Sequence, residues 1–245
     1  MLSILLKGAN FASDPSLDDP SKLFARIASD QGGSPVTHLV LQNEIPLDVT
    51  KAMLDYASTT SEGCISMFNP SPMLSGKELE NFPWNKLDVL LVNEGEAKDL
   101  LEAFGNTQAA NLNGASVVEA LSKIDGLKQI PWIVMTRGAQ GVAATILSHS
   151  SKNKELVEVP AGKPRAVRDT TGAGDTFAGY LVASLMREVA NAEELKNGKV
   201  GMDKAKEGLN LAVWAAALAV ETPGAMNSIP RRENVVARIK EEIEK

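Results

Sequence analysis

Cysteine is almost absent from this sequence: Cys64 is the only one. A lone thiol cannot close an internal disulfide, so a reducing compartment is expected, cytoplasmic or also nuclear. Cys64 lies in the apolar stretch Gly63-Cys64-Ile65-Ser66-Met67-Phe68, with no histidine near it in sequence. It therefore reads as a packing residue and not as a nucleophile. Long apolar runs are lacking as well. The longest, Leu209 to Val220, is interrupted by Asn210 and falls short of the ~20 residues that span a bilayer. The apolar Leu2–Leu6 stretch is too brief for a secretory signal and meets Lys7-Gly8 at once. Positive charge is not in excess: Lys+Arg number 25 against 31 Asp+Glu, a net charge of −6. Its densest spot, Pro230-Arg231-Arg232, reads as a solvated helix start. Neither nucleic acid nor an anionic membrane is an expected partner. The P-loop pattern Gly-x-x-x-x-Gly-Lys-Ser/Thr is also missing, which excludes that class of nucleotide triphosphatase.

What is present suits one globular domain. The chain has 245 residues, 44% hydrophobic and 23% charged, and a chain of this size can bury roughly 70–75% of its unfolded surface. We therefore treat 1–245 as a single domain. Short apolar runs (Ser3–Leu6, Thr37–Leu41, Cys64–Phe68, Val89–Val92, Trp132–Met135) predict strands buried on both faces. Helical patterns lie between them, at Ser21–Ser29, Leu47–Ser58, Glu94–Phe104 and Ala115–Ile124. Val142–Leu147 and Leu156–Val159 predict a hairpin-like pair. Helices follow over Gly172–Val189, Lys204–Val220 and Arg232–Glu244, with 191–203 read as a polar connector. This alternation predicts an α/β fold, a doubly wound and mostly parallel central sheet flanked by helices.

The most informative stretch is Arg168-Asp169-Thr170-Thr171-Gly172-Ala173-Gly174-Asp175-Thr176-Phe177. A polar loop ends in Gly-Ala-Gly and runs into a helix. Small residues there leave backbone N–H groups open, and with the positive helix end they make an anion site suited to phosphate. Asp175 admits two readings: a helix N-cap, or a base that takes a proton from a substrate hydroxyl attacking a phosphate. Gly172-x-Gly174 could open a dinucleotide fingerprint, but position 177 is Phe where a Gly is needed, which disfavours a dehydrogenase.

These residues resemble the C-terminal signature of the ribokinase-like (PfkB) carbohydrate kinases. Other stretches agree in order. Asn93-Glu94-Gly95-Glu96 resembles the family's Asn-x-x-Glu motif, and Thr136-Arg137-Gly138-Ala139-Gln140-Gly141 its nucleotide-side turn. Gln42-Asn43-Glu44-Ile45-Pro46, Asn69-Pro70-Ser71-Pro72 and Gly224-Ala225-Met226-Asn227-Ser228 resemble the ribokinase branch in particular. The likeness runs from about Ser3 to Ile239.

The resemblance implies ATP-dependent phosphorylation of a sugar, D-ribose at its 5-hydroxyl. Fructose, a deoxy-keto acid sugar and a nucleoside are the alternatives, along with a non-catalytic nucleotide-binding remnant. It makes Asp175 the catalytic base and Gly172, Ala173 and Gly174 the anion hole. Asn93 and Glu96 would organise Mg²⁺ and the phosphates, although Glu96 also suits a first-turn helix acid. Thr136, Gly138 and Gly141 would line the nucleotide, although glycines explain a plain turn equally well. Glu44 would contact sugar hydroxyls, or else is an exposed loop acid. Asp169, carbonyls of Thr171, Ala219 and Gly224, and Ser228 resemble a K⁺ site. A homodimer is compatible with the family.

The family's early Gly-Asp, its Gly-Gly motif and its small β-lid find no counterpart before Ser3. Gly32-Gly33 sits in a polar loop and reads as a turn. The fold is therefore expected without the lid and first strands. Sugar phosphorylation is expected to be poor unless those parts come from elsewhere, because orientation and exclusion of water carry much of the rate.

Overall fold

The computed structural model describes residues 19–60 and 63–244. In chain order these form α1 (Pro20–Asp30), β1 (His38–Gln42), α2 (Leu47–Thr59), β2 (Ile65–Asn69), α3 (Gly76–Glu80), β3 (Val89–Asn93), α4 (Glu94–Ala103) and α5 (Ala115–Leu121). They continue with β4 (Trp132–Thr136), β5 (Val142–Leu147), β6 (Lys154–Val159), α6 (Ala173–Glu188), α7 (Ala192–Lys196), α8 (Met202–Ala219) and α9 (Arg232–Ile243). The strand expected at Ser3–Leu6 lies outside the described residues.

All six strands form one sheet in the order β1-β2-β3-β4-β5-β6. The first four are parallel; β5 and β6 return antiparallel. The apolar runs are therefore strands, and the hairpin expectation holds, with β6 opening two residues earlier, at Lys154. Side chains alternate between two cores. Along β3, Leu90 and Val92 face one core and Val89 and Leu91 the other. Such double burial is why the run reads as continuously apolar. The first core takes Met53 and Leu54 of α2, Leu100 and Leu101 of α4 and Val117, Val118 and Leu121 of α5. The second takes Phe177, Leu181 and Leu185 of α6, Leu195 of α7 and Leu209 of α8. Helices thus cover both sides. The crossovers between parallel strands all fall on the first side, and the C-terminal helices roof the second.

The reading of 191–203 as a polar connector needs correction. Residues 192–196 form α7, and Ala192, Leu195 and Val200 are buried against the second core. Asn191 accepts from the Glu194 amide at 3.0 Å, and the Glu194 carboxylate accepts from the Ala190 amide at 2.8 Å. This reciprocal cap holds a single helical turn. Its few apolar residues are too sparse to give a periodic signal. Gly32 and Gly33 form the turn expected after α1, both at positive φ. Cys64 is buried, and its thiol is pushed up to about 12, first by burial and then by the charge of Asp88. That is the packing role read from the sequence.

Helix α6 is seated by close approach to α8. A Cβ at Gly208 would come within 3.0 Å of the Ser184 Cβ, so α8 presents a notch there. At the β4–β5 turn the requirement is stricter. Gly141 has φ +87°, and a Cβ on it would run into the backbone at Val159 and Ala161, 2.6 Å from the Ala161 nitrogen. Gly141→Ala is expected to lower stability by about 1–3 kcal/mol or more, from left-handed strain and steric conflict. Urea unfolding monitored by tryptophan fluorescence measures it.

Candidate functional site

The carboxyl ends of the four parallel strands lie along one edge of the sheet, and each ends on a polar residue: Gln42, Asn69, Asn93 and Thr136. Gln42 stands opposite Asn69 and Asn93 opposite Thr136 in the register. Three inter-strand spacings give a trough about 14 Å long, at the end of the sheet where open α/β folds bind ligands.

Asn93 ends β3 and caps α4. Its Oδ1 accepts from the Glu96 amide at 2.9 Å, and Glu96 Oε2 accepts from the Asn93 amide at 2.9 Å. Asn93-x-x-Glu96 is therefore a capping box. The plain helical reading of Glu96 holds, yet its carboxyl does more. Asn69 donates to the Leu91 carbonyl at 2.8 Å and to Glu96 Oε2 at 3.4 Å. Burial raises the Glu96 carboxyl above its ordinary range, against the hydrogen bonds from Asn93, Ser71 and Asn69. An acid held that way gains from a nearby cation.

At β4, Thr136 points its hydroxyl toward the Val92 carbonyl at 3.5 Å, a weak contact. The turn beyond it is closed by the Arg137 amide to the Gly141 carbonyl, 2.8 Å, and by the Gly141 amide to the Gly138 carbonyl, 3.1 Å. Gly141 serves the turn itself. Gly138 has φ +54° and no heavy atom near its missing Cβ, so it faces open space.

At the other end of the trough α6 begins. Gly172 is its cap, at φ +76°, with no side-chain capping bond. Asp175 therefore is not the N-cap; it stands in the first turn and is exposed. Its Oδ1 accepts from Gln42 Nε2 at 2.9 Å. The amides of Gly172, Gly174 and Asp175 have no protein acceptor among the described residues, whereas the Ala173 amide is directed at the Thr170 carbonyl, 3.3 Å away. Open amides at a helix start suit an anion, and here those of Gly172 and Gly174 are open where that of Ala173 is not.

The loop before α6 is clamped to the loop after α8. Asp169 Oδ1 accepts from the Thr171 amide and Oδ2 from the Gly224 amide, both at 2.9 Å. The Arg168 amide donates to the Val220 carbonyl at 2.8 Å. A Cβ at Gly172 would sit 3.1 Å from the Ala225 Cα, so glycine is needed for its φ and for this approach. Ser228 is buried and donates to the Ala225 carbonyl at 2.9 Å. Ala219 closes α8, its carbonyl accepting from the Thr222 amide at 3.2 Å. The structure thus joins Asp169, Thr171, Gly224 and Ser228 in one loop pair, with Ala219 at its base.

Glu44 is exposed, in the loop between β1 and α2. That loop is tied down by Asn43, whose amide donates to the Ser71 carbonyl at 3.2 Å and whose side chain donates to the Pro72 carbonyl at 2.7 Å. Gln42 and Asn69 were read within motifs but given no role. Their signal is a polar residue closing an apolar strand.

A model of the pfkB family carbohydrate kinases matches residues 8–232. The chain belongs to this family. It is 28% identical over 204 residues to a ribokinase of Lactococcus lactis, covering 83% of this chain and 54% of that protein. Among solved structures, a ribokinase of Cryptococcus neoformans in complex with ADP matches with TM-score 0.75 and 34% identity, covering 96% of this chain and 66% of that one. The ribokinase of Thermotoga maritima matches with TM-score 0.66 and 28% identity, covering 97% and 64%. This pfkB chain therefore spans about half the length of the curated ribokinase and about two-thirds of the solved ones. The ribokinase-like α/β fold expected from the glycine-rich turn is the observed one. No helix among the described residues is long and apolar enough to cross a membrane.

Asp169 offers a direct test of the loop clamp. The Gly224 amide, followed by the Thr171 amide, holds its carboxyl down at about 2, below the ordinary 3.8. The folded value lies below the unfolded one. The stabilisation is therefore complete above about pH 4 and disappears as pH falls toward 2. Asp169→Asn is expected to be less stable than the parent at pH 5, with the difference shrinking toward pH 2. Urea titrations across that range measure it; a constant difference would contradict this account.

Proposed function

We propose that this chain is the nucleotide-binding and catalytic part of a sugar kinase that transfers the γ-phosphoryl group of ATP to a primary hydroxyl, that of C5 of D-ribose. The observation that carries the reading is Asp175 beside the open amides of Gly172 and Gly174, at one end of a trough whose floor is polar. Family membership and the ribokinase relatives support the same chemistry. The relatives' names favour ribose over the fructose and nucleoside alternatives.

In this mechanism the sugar hydroxyl lies against Asp175, which accepts its proton as the oxygen attacks phosphorus. Negative charge grows on the transferring oxygens, and the amides of Gly172 and Gly174 receive it, already aimed and with no reorganisation required. Asp175 stands in the same first helical turn as these amides, which puts a general base beside a hydroxyl held at that anion site. Gly138 leaves space for the nucleotide at the Thr136 end, and Gly141 closes the turn. Glu44, two residues beyond Gln42, is the group on this side available to sugar hydroxyls.

The carboxylate and amide oxygens of Glu96, Asn69 and Asn93 suit a hydrated Mg²⁺, which prefers oxygen and keeps much of its water. Bound with ATP, Mg²⁺ supplies charge neutralisation at the phosphates. Carbonyl and carboxylate oxygens of the Asp169–Gly224 loop pair suit K⁺, which would stiffen the loops that shape the anion cradle. Among the described residues no group of three His, Cys, Asp or Glu side chains stands ready for a directly ligated transition metal.

Asp175→Ala is expected to lower ribose-dependent ATP consumption by about 10²–10⁴-fold, with little change in ATP affinity. Coupled ADP release, with Mg²⁺ and K⁺ present, measures it; equal turnover in the variant would overturn the assignment. Glu96→Gln keeps a capping acceptor but removes the charge. It is expected to raise the Mg²⁺ concentration needed for half-maximal turnover by about 10–100-fold, without loss of thermal stability at pH 7.

A further inference from the structure

Asp175 is held by one side chain, and that side chain comes from the far end of the described fold. Gln42 Nε2 donates to Asp175 Oδ1 at 2.9 Å across 133 positions of sequence. We propose that Gln42 is a positioning residue that fixes the direction of the Asp175 carboxylate, leaving Oδ2 to accept the substrate proton. The proposal rests on the reading of Asp175 as the base.

Three features support it. The first is the platform. Gln42 is the last residue of β1, in register with Asn69 of β2. The next residue is pinned twice, by Asn43 to the carbonyls of Ser71 and Pro72. A long side chain anchored at its root loses less entropy when it holds a partner.

The second is the type of donor. An amide is neutral. It orients a carboxylate without cancelling the charge that must accept a proton, whereas Lys or Arg in its place would form an ion pair. No ion pair involves Asp175 among the described residues. An ionised carboxylate offers about four acceptor positions on two oxygens, so one bond from Gln42 restricts rotation and still leaves one oxygen open.

The third is that stability does not account for the contact. Both partners are only partly shielded, and an exposed hydrogen bond adds little to folding. The bond nevertheless joins the start of α6 to the strand whose following loop carries Glu44. The base and the sugar-side loop thereby share one reference point.

The test needs two arms on the intact chain. In the first, high-resolution crystal structures of the parent and of Gln42→Leu are compared. The Asp175 carboxylate is expected to leave its direction, or to split between rotamers, while the α6 backbone stays in place. An Asp175 side chain unmoved in Gln42→Leu overturns the proposal whether or not the chain turns over. In the second, kcat of ribose phosphorylation is expected to fall by about 10–100-fold in Gln42→Leu, as for other residues that orient a functional group, with KM for ATP changed less than about twofold. Gln42→Glu supplies a conservative check. Two carboxylates in that geometry share a proton, so this variant is expected to work at pH 5.5 and to lose activity by pH 8, a loss that Gln42→Leu does not share. Equal kcat in parent and Gln42→Leu sinks the proposal and leaves the kinase reading intact. A displaced carboxylate in a chain without turnover upholds Gln42 as the group that orients Asp175 and overturns the reading of Asp175 as a base.

Discussion

Parallel strands in step bring their carboxyl ends to one edge of the sheet, and everything chemical in this chain hangs from that edge. Gln42, Asn69, Asn93 and Thr136 are four strand ends, not four loop residues, so their positions are set by backbone ladders, buried on both sides for β2 to β4. Loops alone could not hold Asn69, the capped Glu96 and the turn after Thr136 in fixed relation. The antiparallel β5 and β6 end this arrangement, and the chain then crosses to the second face of the sheet. There α6 runs back so that its first turn meets the same edge.

Two clamps complete the site, both bringing together residues far apart in the chain. Asp169 spends both carboxylate oxygens on backbone amides, one of them from Gly224. That fixes the loop whose glycine must adopt a left-handed conformation against Ala225. Gln42 fixes the side chain that the loop delivers. The glycine-rich turn and the Asp175 side chain are therefore held by different parts of the molecule, the turn by the loop after α8 and the side chain by β1.

The elements were largely legible in the sequence because strands buried on both sides announce themselves as apolar runs, as Val89–Val92 does. Helix α7 was not. One turn capped by Asn191 and Glu194 has no period to detect, and its burial depends on Leu195 meeting a core assembled from distant segments. The glycine-rich turn was legible as a helix start from its residues, and as a family signature from resemblance. Reading Asp175 as an N-cap was reasonable locally and failed because Gly172, in a left-handed conformation, took that position. The Asp169–Gly224 contact was an implication of family likeness that spacing could not establish. The Gln42–Asp175 contact lay beyond any pattern, since nothing local relates positions so distant.

The position of β1 has a dynamic meaning. Among the described residues it is the outermost strand: only β2 pairs with it, and Val40 is 46% exposed. Rim strands open at lower free energy than central ones such as β3, where Val89 and Leu90 have no solvent contact. Asp175 is thus held by the outermost of the described strands. On warming, the Gln42–Asp175 contact would be lost to brief local opening while the bulk of the core still held.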